Sequence, residues 1–247
     1  MQAAAPPPSY RNGGPLRGEG PGLMTEAIVK MEDVWKSYAD GDYVLRSVSF
    51  EVPRGEFVGV HGRSGSGKST FLRLIGLLDR PTKGSLTVVG EDAARLGASD
   101  SARIRREKLG YIFQGFNLVP HVTALENIEV PMWLNGVKGD ERRERAMADL
   151  KRFGLEHLAG RYPREMSHGE QQRVAAIRAT VSRPELILAD EPTSSLDDES
   201  AKTFLGLVTK LNRELGTTVV MVSTDPDEAR AGTSVYRLGS GSLSRET

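Results

Sequence analysis

The run Gly62-Arg63-Ser64-Gly65-Ser66-Gly67-Lys68-Ser69 carries the clearest chemistry in the chain. It fits G-x-x-x-x-G-K-[ST], with the apolar stretch Phe57-Val58-Gly59-Val60 before it and helical spacing after it. Glycines let backbone amides turn inward and approach phosphate oxygens closely. A helix beginning near Ser69 adds the positive end of its dipole. Lys68 offers a point charge to the β- and γ-phosphates, and Ser69 a hydroxyl to Mg²⁺. With Thr70, these residues are expected to bind a nucleoside triphosphate.

Such a loop needs an acidic partner. Glu185-Leu186-Ile187-Leu188-Ala189-Asp190-Glu191 is an apolar strand ending in two carboxylates. Asp190 is expected to hold Mg²⁺, directly or through water, and Glu191 to polarise a water aimed at the γ-phosphate. Alone, this segment reads better as a strand followed by a solvated acidic turn. The upstream loop gives it the catalytic meaning.

These residues must be positioned by strands and helices in alternation. Ile28 to Met31 reads as a strand, and Val48, Phe50 and Val52 alternate as a second. Phe57–Val60, Leu186–Ala189 and Val219–Val222 are continuous apolar strands, and Val235–Leu238 is expected to be the last. Phe71, Leu72, Leu74, Ile75 and Leu78 recur at helical spacing, as do Phe204, Val208, Leu211 and Leu215. Continuous apolar strands alternating with helices imply a parallel sheet covered on both faces, an α/β fold. Residues from about 115 to 166 are charged and helical and read as an insertion. Residues 1–24 are rich in Pro and Gly and read as a disordered tail. They lack the basic segment and apolar stretch of a secretory signal.

Composition narrows the function. Of 247 residues, 33 are Lys or Arg and 33 Asp or Glu, so the formal net charge is zero. That argues against a nucleic-acid partner, which needs clustered cations. No Cys is present, which excludes disulfides, thiolate metal sites and a cysteine nucleophile. No apolar run approaches the roughly 20 residues needed to span a bilayer.

Further motifs, in order along the chain, resemble those of the ATP-binding cassette (ABC) ATPases. Gln114, in Phe113-Gln114-Gly115-Phe116-Asn117-Leu118, is similar to the family's Q-loop glutamine. Met166-Ser167-His168-Gly169-Glu170-Gln171-Gln172-Arg173 is similar to its signature motif. Ser195-Leu196-Asp197, after Asp190-Glu191-Pro192-Thr193, resembles the D-loop, and Tyr38 sits where the family stacks an aromatic on adenine. Leu78-Asp79-Arg80-Pro81-Thr82-Lys83-Gly84 and Thr123-Ala124-Leu125-Glu126-Asn127-Ile128 resemble the macrolide-export, lipoprotein-release and cell-division type.

The resemblance implies a P-loop NTPase fold over residues 25–247. A mostly parallel core sheet would carry an N-terminal antiparallel β subdomain and the helical insertion. It implies ATP and Mg²⁺ as ligands, with Ser69, Gln114 and Asp190 toward the metal and Glu191 and Gln114 in hydrolysis. Two cassettes, most simply identical, would meet head to tail. Ser167, His168, Gly169, Glu170 and Asp197 of one chain would face nucleotide held by the other. An integral membrane permease would be the partner, placing the protein peripherally on the cytoplasmic face of the membrane. The apolar Phe116, Leu118 and Val119, on an expected exposed loop, are the segment predicted to dock there. Trp133 fits the core or the permease contact equally well.

Two residues depart from the family pattern. His168 stands where the signature has glycine. Thr224, in Ser223-Thr224-Asp225-Pro226, stands at the switch-histidine position. A threonine hydroxyl is shorter than imidazole and uncharged. The alternative to an active ATPase is therefore a regulatory or assembly cassette that holds ATP and hydrolyses it little.

Overall fold

The computed structural model describes residues 27–39 and 41–246. The expected tail at residues 1–24 lies outside them. The chain runs β1 (Ala27–Ala39), β2 (Asp42–Pro53), β3 (Phe57–His61), α1 (Lys68–Ile75), β4 (Lys83–Val88), β5 (Glu91–Asp92), α2 (Ala98–Lys108) and β6 (Leu109–Ile112). Then come α3 (Ala124–Leu134), α4 (Gly139–Arg152), α5 (His168–Thr180), β7 (Leu186–Asp190), α6 (Asp198–Leu215), β8 (Thr218–Ser223), α7 (Pro226–Ala229), β9 (Ser234–Gly239) and β10 (Ser242–Glu246).

Two sheets form. The first is antiparallel, in the order β2-β1-β4-β5, and the second has the order β10-β9-β3-β8-β7-β6. In the second sheet β9, β3, β8, β7 and β6 are parallel, and only β10 runs against its neighbour. This is the α/β fold with a mostly parallel core sheet and an antiparallel β layer. Strand alternation explains why both faces are covered. Val58, Val60, Leu186, Leu188, Val220 and Val222 point into one apolar cluster with α1 and the antiparallel sheet. Phe57, Ile187, Ala189, Val219 and Met221 point into the other, shared with α3, α5 and α6.

Among the elements that differ from expectation, three concern α1 and the core sheet. Leu78 is not on the face of α1. That helix stops at Ile75, where Leu77 takes φ +53° and the amides of Leu77 and Leu78 reach back to the carbonyls of Leu74 and Arg73. This is a Schellman stop with Leu in place of the usual glycine, and it turns Leu78 outward. The strand at Val235–Leu238 is followed by another, because Ser240 and Gly241 both have positive φ and close a two-residue hairpin into β10. The four-residue β6 is a further parallel strand, too short for periodicity to reveal.

Candidate active site

Four adjacent parallel strands end at one edge of the sheet, where open α/β sheets place their ligands. The loop after β3 carries Lys68, and that after β6 carries Gln114. Asp190 closes β7 with Glu191 just beyond it, and Thr224 follows β8. Register aligns these ends: His61 lies opposite Ser223, Val222 opposite Asp190, and Ala189 opposite Ile112.

The Gly62–Ser69 loop is bound into the fold at its rim and left open along its inner side. Gly62 N donates to Ser223 O at 3.2 Å, and Ser66 N to Arg63 O at 3.1 Å. Gly67 is left-handed at φ +101°, and a Cβ there would meet Val44 and Leu45 at 3.1–3.2 Å, so glycine is required. Among the described residues, the amides of Gly65, Gly67, Lys68, Ser69 and Thr70 donate to no protein acceptor. The buried Ser66 hydroxyl is also without a partner among the described residues. Unpaired donors converging at the N-terminus of α1 suit an anionic ligand.

Lys68 is 3% exposed, and its ammonium is surrounded by oxygen. It donates to Gly62 O at 2.9 Å and Arg63 O at 3.2 Å, and lies 3.1 Å from Glu191 Oε1. A phosphate chain enters a set of partners that already holds this cation in place. Lys68→Ala removes a charge-assisted contact worth about 1.5–3 kcal/mol. ATP affinity is expected to fall about tenfold or more. Nucleotide titration of the purified variant checks this, and equal affinity would refute the assignment.

Ser69 Oγ lies 3.4 Å from Asp190 Oδ1. Burial, reinforced by the neighbouring Glu191 charge, raises the Asp190 carboxyl above its usual range, with Ser69 and Lys68 pulling the other way. A cation beside it relieves that cost. No group of three or more His, Cys, Asp or Glu side chains suited to a metal occurs among the described residues. The donor set is thus one hydroxyl and one carboxylate, which fits Mg²⁺ held largely by water and phosphate oxygens. Bound there, Mg²⁺ supplies positive charge to the phosphate oxygens.

Glu191 has φ +44°, an unusual left-handed backbone for a side chain of this size. Its amide donates to Val222 O at 2.9 Å, and its carbonyl accepts from Ser194 N and Ser194 Oγ. Strain of this kind is held only where the surroundings fix it. Here it sets the carboxylate against Lys68.

The remaining predicted residues fall as follows. Gln114 is exposed just past β6, with no protein hydrogen bond among the described residues. Thr224 is exposed and likewise unbonded, beside the fixed Ser223. Ser167 caps α5, accepting from Glu170 N at 3.3 Å, while Glu170 Oε2 accepts from Ser167 N at 2.8 Å. The Ser167 amide holds the Glu170 carboxyl below its usual range, so this side chain is committed to the cap. The helix starts at His168, and the amides of His168 and Gly169 are unpaired among the described residues. Gly169 packs against Ser200 of α6, where a Cβ would meet the serine side chain at 3.1 Å. Asp197 caps α6 through Ser200 N and Ser200 Oγ.

Tyr38 is 58% exposed, with the Lys36 ammonium 4.7 Å from its ring centroid on one face. Lys36 is buried and bonded to Asp79 Oδ1 at 2.6 Å and Arg80 O at 2.9 Å. Burial opposes ionisation of Asp79, but the bonds from Lys36, the Arg80 amide and Tyr38 outweigh it and keep the carboxyl below its usual range. This support for Tyr38 joins residues 43 apart in sequence and leaves no local motif to read.

The expected docking segment is less open than its composition implies. The Phe116 ring packs on His168, with centroids 5.3 Å apart, and Leu118 is half-buried. Asn127 fixes the loop through Val119 N, Val119 O and Val122 O. Of that segment only Val119 is exposed, and further exposed apolar surface lies at Leu78, Phe113, Trp133 and Leu134. Trp133, 63% exposed, is not a core residue.

A glycine-rich loop between a central parallel strand and a helix, facing an acidic strand end, defines a P-loop NTPase. Residues 45–194 match the family model for the ABC transporter, and the chain belongs to that family. It is 44% identical over 219 residues to an ABC transporter ATP-binding protein of Thermotoga maritima, covering 87% of this chain and 93% of that one. It is 43% identical to a macrolide export ATP-binding/permease protein, MacB 1/2, of Paracoccus denitrificans, over 87% of this chain but 33% of that longer protein. Among solved structures it resembles the cassette MJ0796 of Methanocaldococcus jannaschii, in a dimeric post-hydrolysis state bound to ADP and Pi. The TM-score is 0.79 at 42% identity, covering 89% of this chain and 98% of that one. As a family member, the chain is an ATPase whose ligands are ATP and Mg²⁺. No helix among the described residues is long and apolar enough to cross a membrane.

Proposed function

We propose that the chain is the ATPase subunit of a transport or mechanotransmission complex, coupling cassette dimerisation to movement of a membrane permease. Residues 25–247 act as one cassette, with the helical segment from about 115 to 166 as its lever. Two copies close head to tail around two ATP–Mg²⁺. Ser167 and the free amides of His168 and Gly169 in one copy face the γ-phosphate held by Lys68 of the other. Asp197, at the start of α6, lies at the same junction, and Tyr38 receives the adenine. Ser69 and Asp190 hold Mg²⁺ with Gln114 beside them. Glu191 takes the proton from the attacking water, and the products' separation reopens the pair. The dimer of MJ0796 and the combined ATP-binding/permease chain of MacB support this arrangement.

One observation carries the permease contact. A groove of about 470 Å³ is lined by Leu78, Phe113, Val130 and Leu134, between the end of α1, the segment bearing Gln114, and α3. Leu78 and Leu134 are 46% and 55% exposed. Clustered apolar surface of this kind marks an interaction site. A helix from the permease seated there would sit beside Gln114, on the cytoplasmic face of the membrane.

The test replaces Leu78 and Leu134 with Asp. With a permease of the macrolide-export type in proteoliposomes, the double variant is expected to lose membrane binding and permease-stimulated turnover. Turnover without the permease should stay at the parent level. Undiminished stimulation would move the docking site elsewhere.

A further inference from the structure

We propose that Gln172 is a positioning residue for hydrolysis, tying the segment that carries Gln114 to the one that carries Glu191. Its side chain is fully buried in α5, at 0% exposure. Its amide nitrogen donates to Phe113 O at 3.0 Å and to Pro192 O at 2.7 Å. Phe113 immediately precedes Gln114, and Pro192 immediately follows Glu191. One –NH₂ group thus spends both protons on the two segments that bear the polar groups for water and metal.

Sheet pairing does not hold these segments together. The ladder between β6 and β7 ends with Ile112 opposite Ala189. Gln114, Asp190 and Glu191 lie past that pair, and Gln172 supplies a cross-link there. The arrangement has a cost. Among the described residues, Gln172 Oε1 is buried without a partner, and so is Thr193 Oγ1 next to Pro192. An unpaired buried acceptor is unfavourable, and an apolar side chain would fill the space without one. What an apolar side chain cannot do is hold two carbonyls at a set separation.

The position on α5 adds a second consequence, which rests on the head-to-tail reading above. The N-terminus of α5, capped by Ser167, faces the nucleotide of the opposite copy. Gln114 and Glu191 serve the nucleotide of their own copy. Gln172 lies five residues after Ser167 and bonds both neighbours of these groups, so engagement of α5 at one site is transmitted to the hydrolytic residues of the other.

The test uses the full chain. Gln172→Met keeps the volume and removes both donors. Gln172→Asn keeps the amide on a stem one methylene shorter. A displacement of about 1 Å can cost on the order of 10²-fold in rate, so kcat of the Met variant is expected to fall about 10- to 100-fold. KM for ATP should stay within about twofold, because the phosphate loop is untouched. Cooperativity in ATP should be lost with it. The Asn variant should fall between parent and Met. Thermal unfolding sets the folded fraction against which kcat is scaled, and if the Met variant does not fold, the Asn variant decides. Parent-level kcat in the folded variants, or a loss that tracks only the folded fraction, overturns the proposal. Glu191→Gln is assayed in parallel. If that variant turns over at the parent rate, the reading of the site fails. If it is inactive while the Gln172 variants match the parent, this inference alone fails.

Discussion

Glu191→Gln is expected to lower ATP turnover by about 10²- to 10⁴-fold, the range supplied by one positioned general base. The substitution keeps the side-chain shape and one oxygen able to accept from Lys68 at the 3.1 Å separation seen for the carboxylate. It also leaves the backbone restraints in place. The left-handed φ of +44° is fixed by the bond from Glu191 N to Val222 O and by the two bonds from Ser194. Glutamine carries the same conformational cost as glutamate there, so the folded state should be unaffected, as a thermal melt will show. Only the ability to take a proton is lost. ATP affinity should hold, and light scattering with ATP and Mg²⁺ should show a persistent larger species, because closure no longer leads to hydrolysis. Turnover at the parent rate would mean that Glu191 has another role.

How much of this site can be read from the chain depends on how local its parts are. The phosphate loop is eight consecutive residues with a strand before and a helix after, and each residue type has its own reason to be there. Asp190 and Glu191 are legible for the same reason, at the end of an uninterrupted apolar strand. The support around them is not local. Lys36 meets Asp79 across 43 residues, and Gln172 meets Phe113 across 59. A lysine or glutamine among many polar residues carries no pattern that announces such a contact. Neither does the left-handed backbone of Glu191, where glutamate gives no hint of the conformation glycine would signal. The fold shows the same division. Long periodic elements such as α6 are visible, whereas β6, at four residues, and the Ser240-Gly241 hairpin depend on pairing partners far away in sequence. Composition also misleads at Phe116 and Leu118, where Asn127 and His168 hold an apolar loop that reads as open surface.

Thr224→His is the substitution expected to raise activity. Thr224 follows β8, and its neighbour Ser223 is fixed on three sides. Ser223 O accepts from Gly62 N at 3.2 Å, and Ser223 Oγ bonds Glu228 and accepts from Asp225 N. The position is therefore tied to the phosphate loop itself, while the Thr224 side chain is exposed and unbonded among the described residues. Imidazole placed there reaches further than a hydroxyl and can donate to charge developing on the γ-phosphate. A single positioned donor of this kind is worth about 10²–10³ in rate where its geometry is fully set. A graft with no supporting contacts should recover part of that, on the order of tenfold. His168 is the natural candidate to have replaced the missing ring, but its imidazole packs on Phe116 in its own chain. His168→Gly should accordingly leave the effect of Thr224→His intact, with the two substitutions combining independently. Turnover of the parent, each single variant and the double variant, with and without permease, decides the matter. A gain with Thr224→His identifies the parent as a slow cassette that holds ATP longer. A parent already fast, with no gain in either setting, shows that the threonine costs the mechanism nothing. A gain that disappears in the double variant shows that His168 contributes to the γ-phosphate after all.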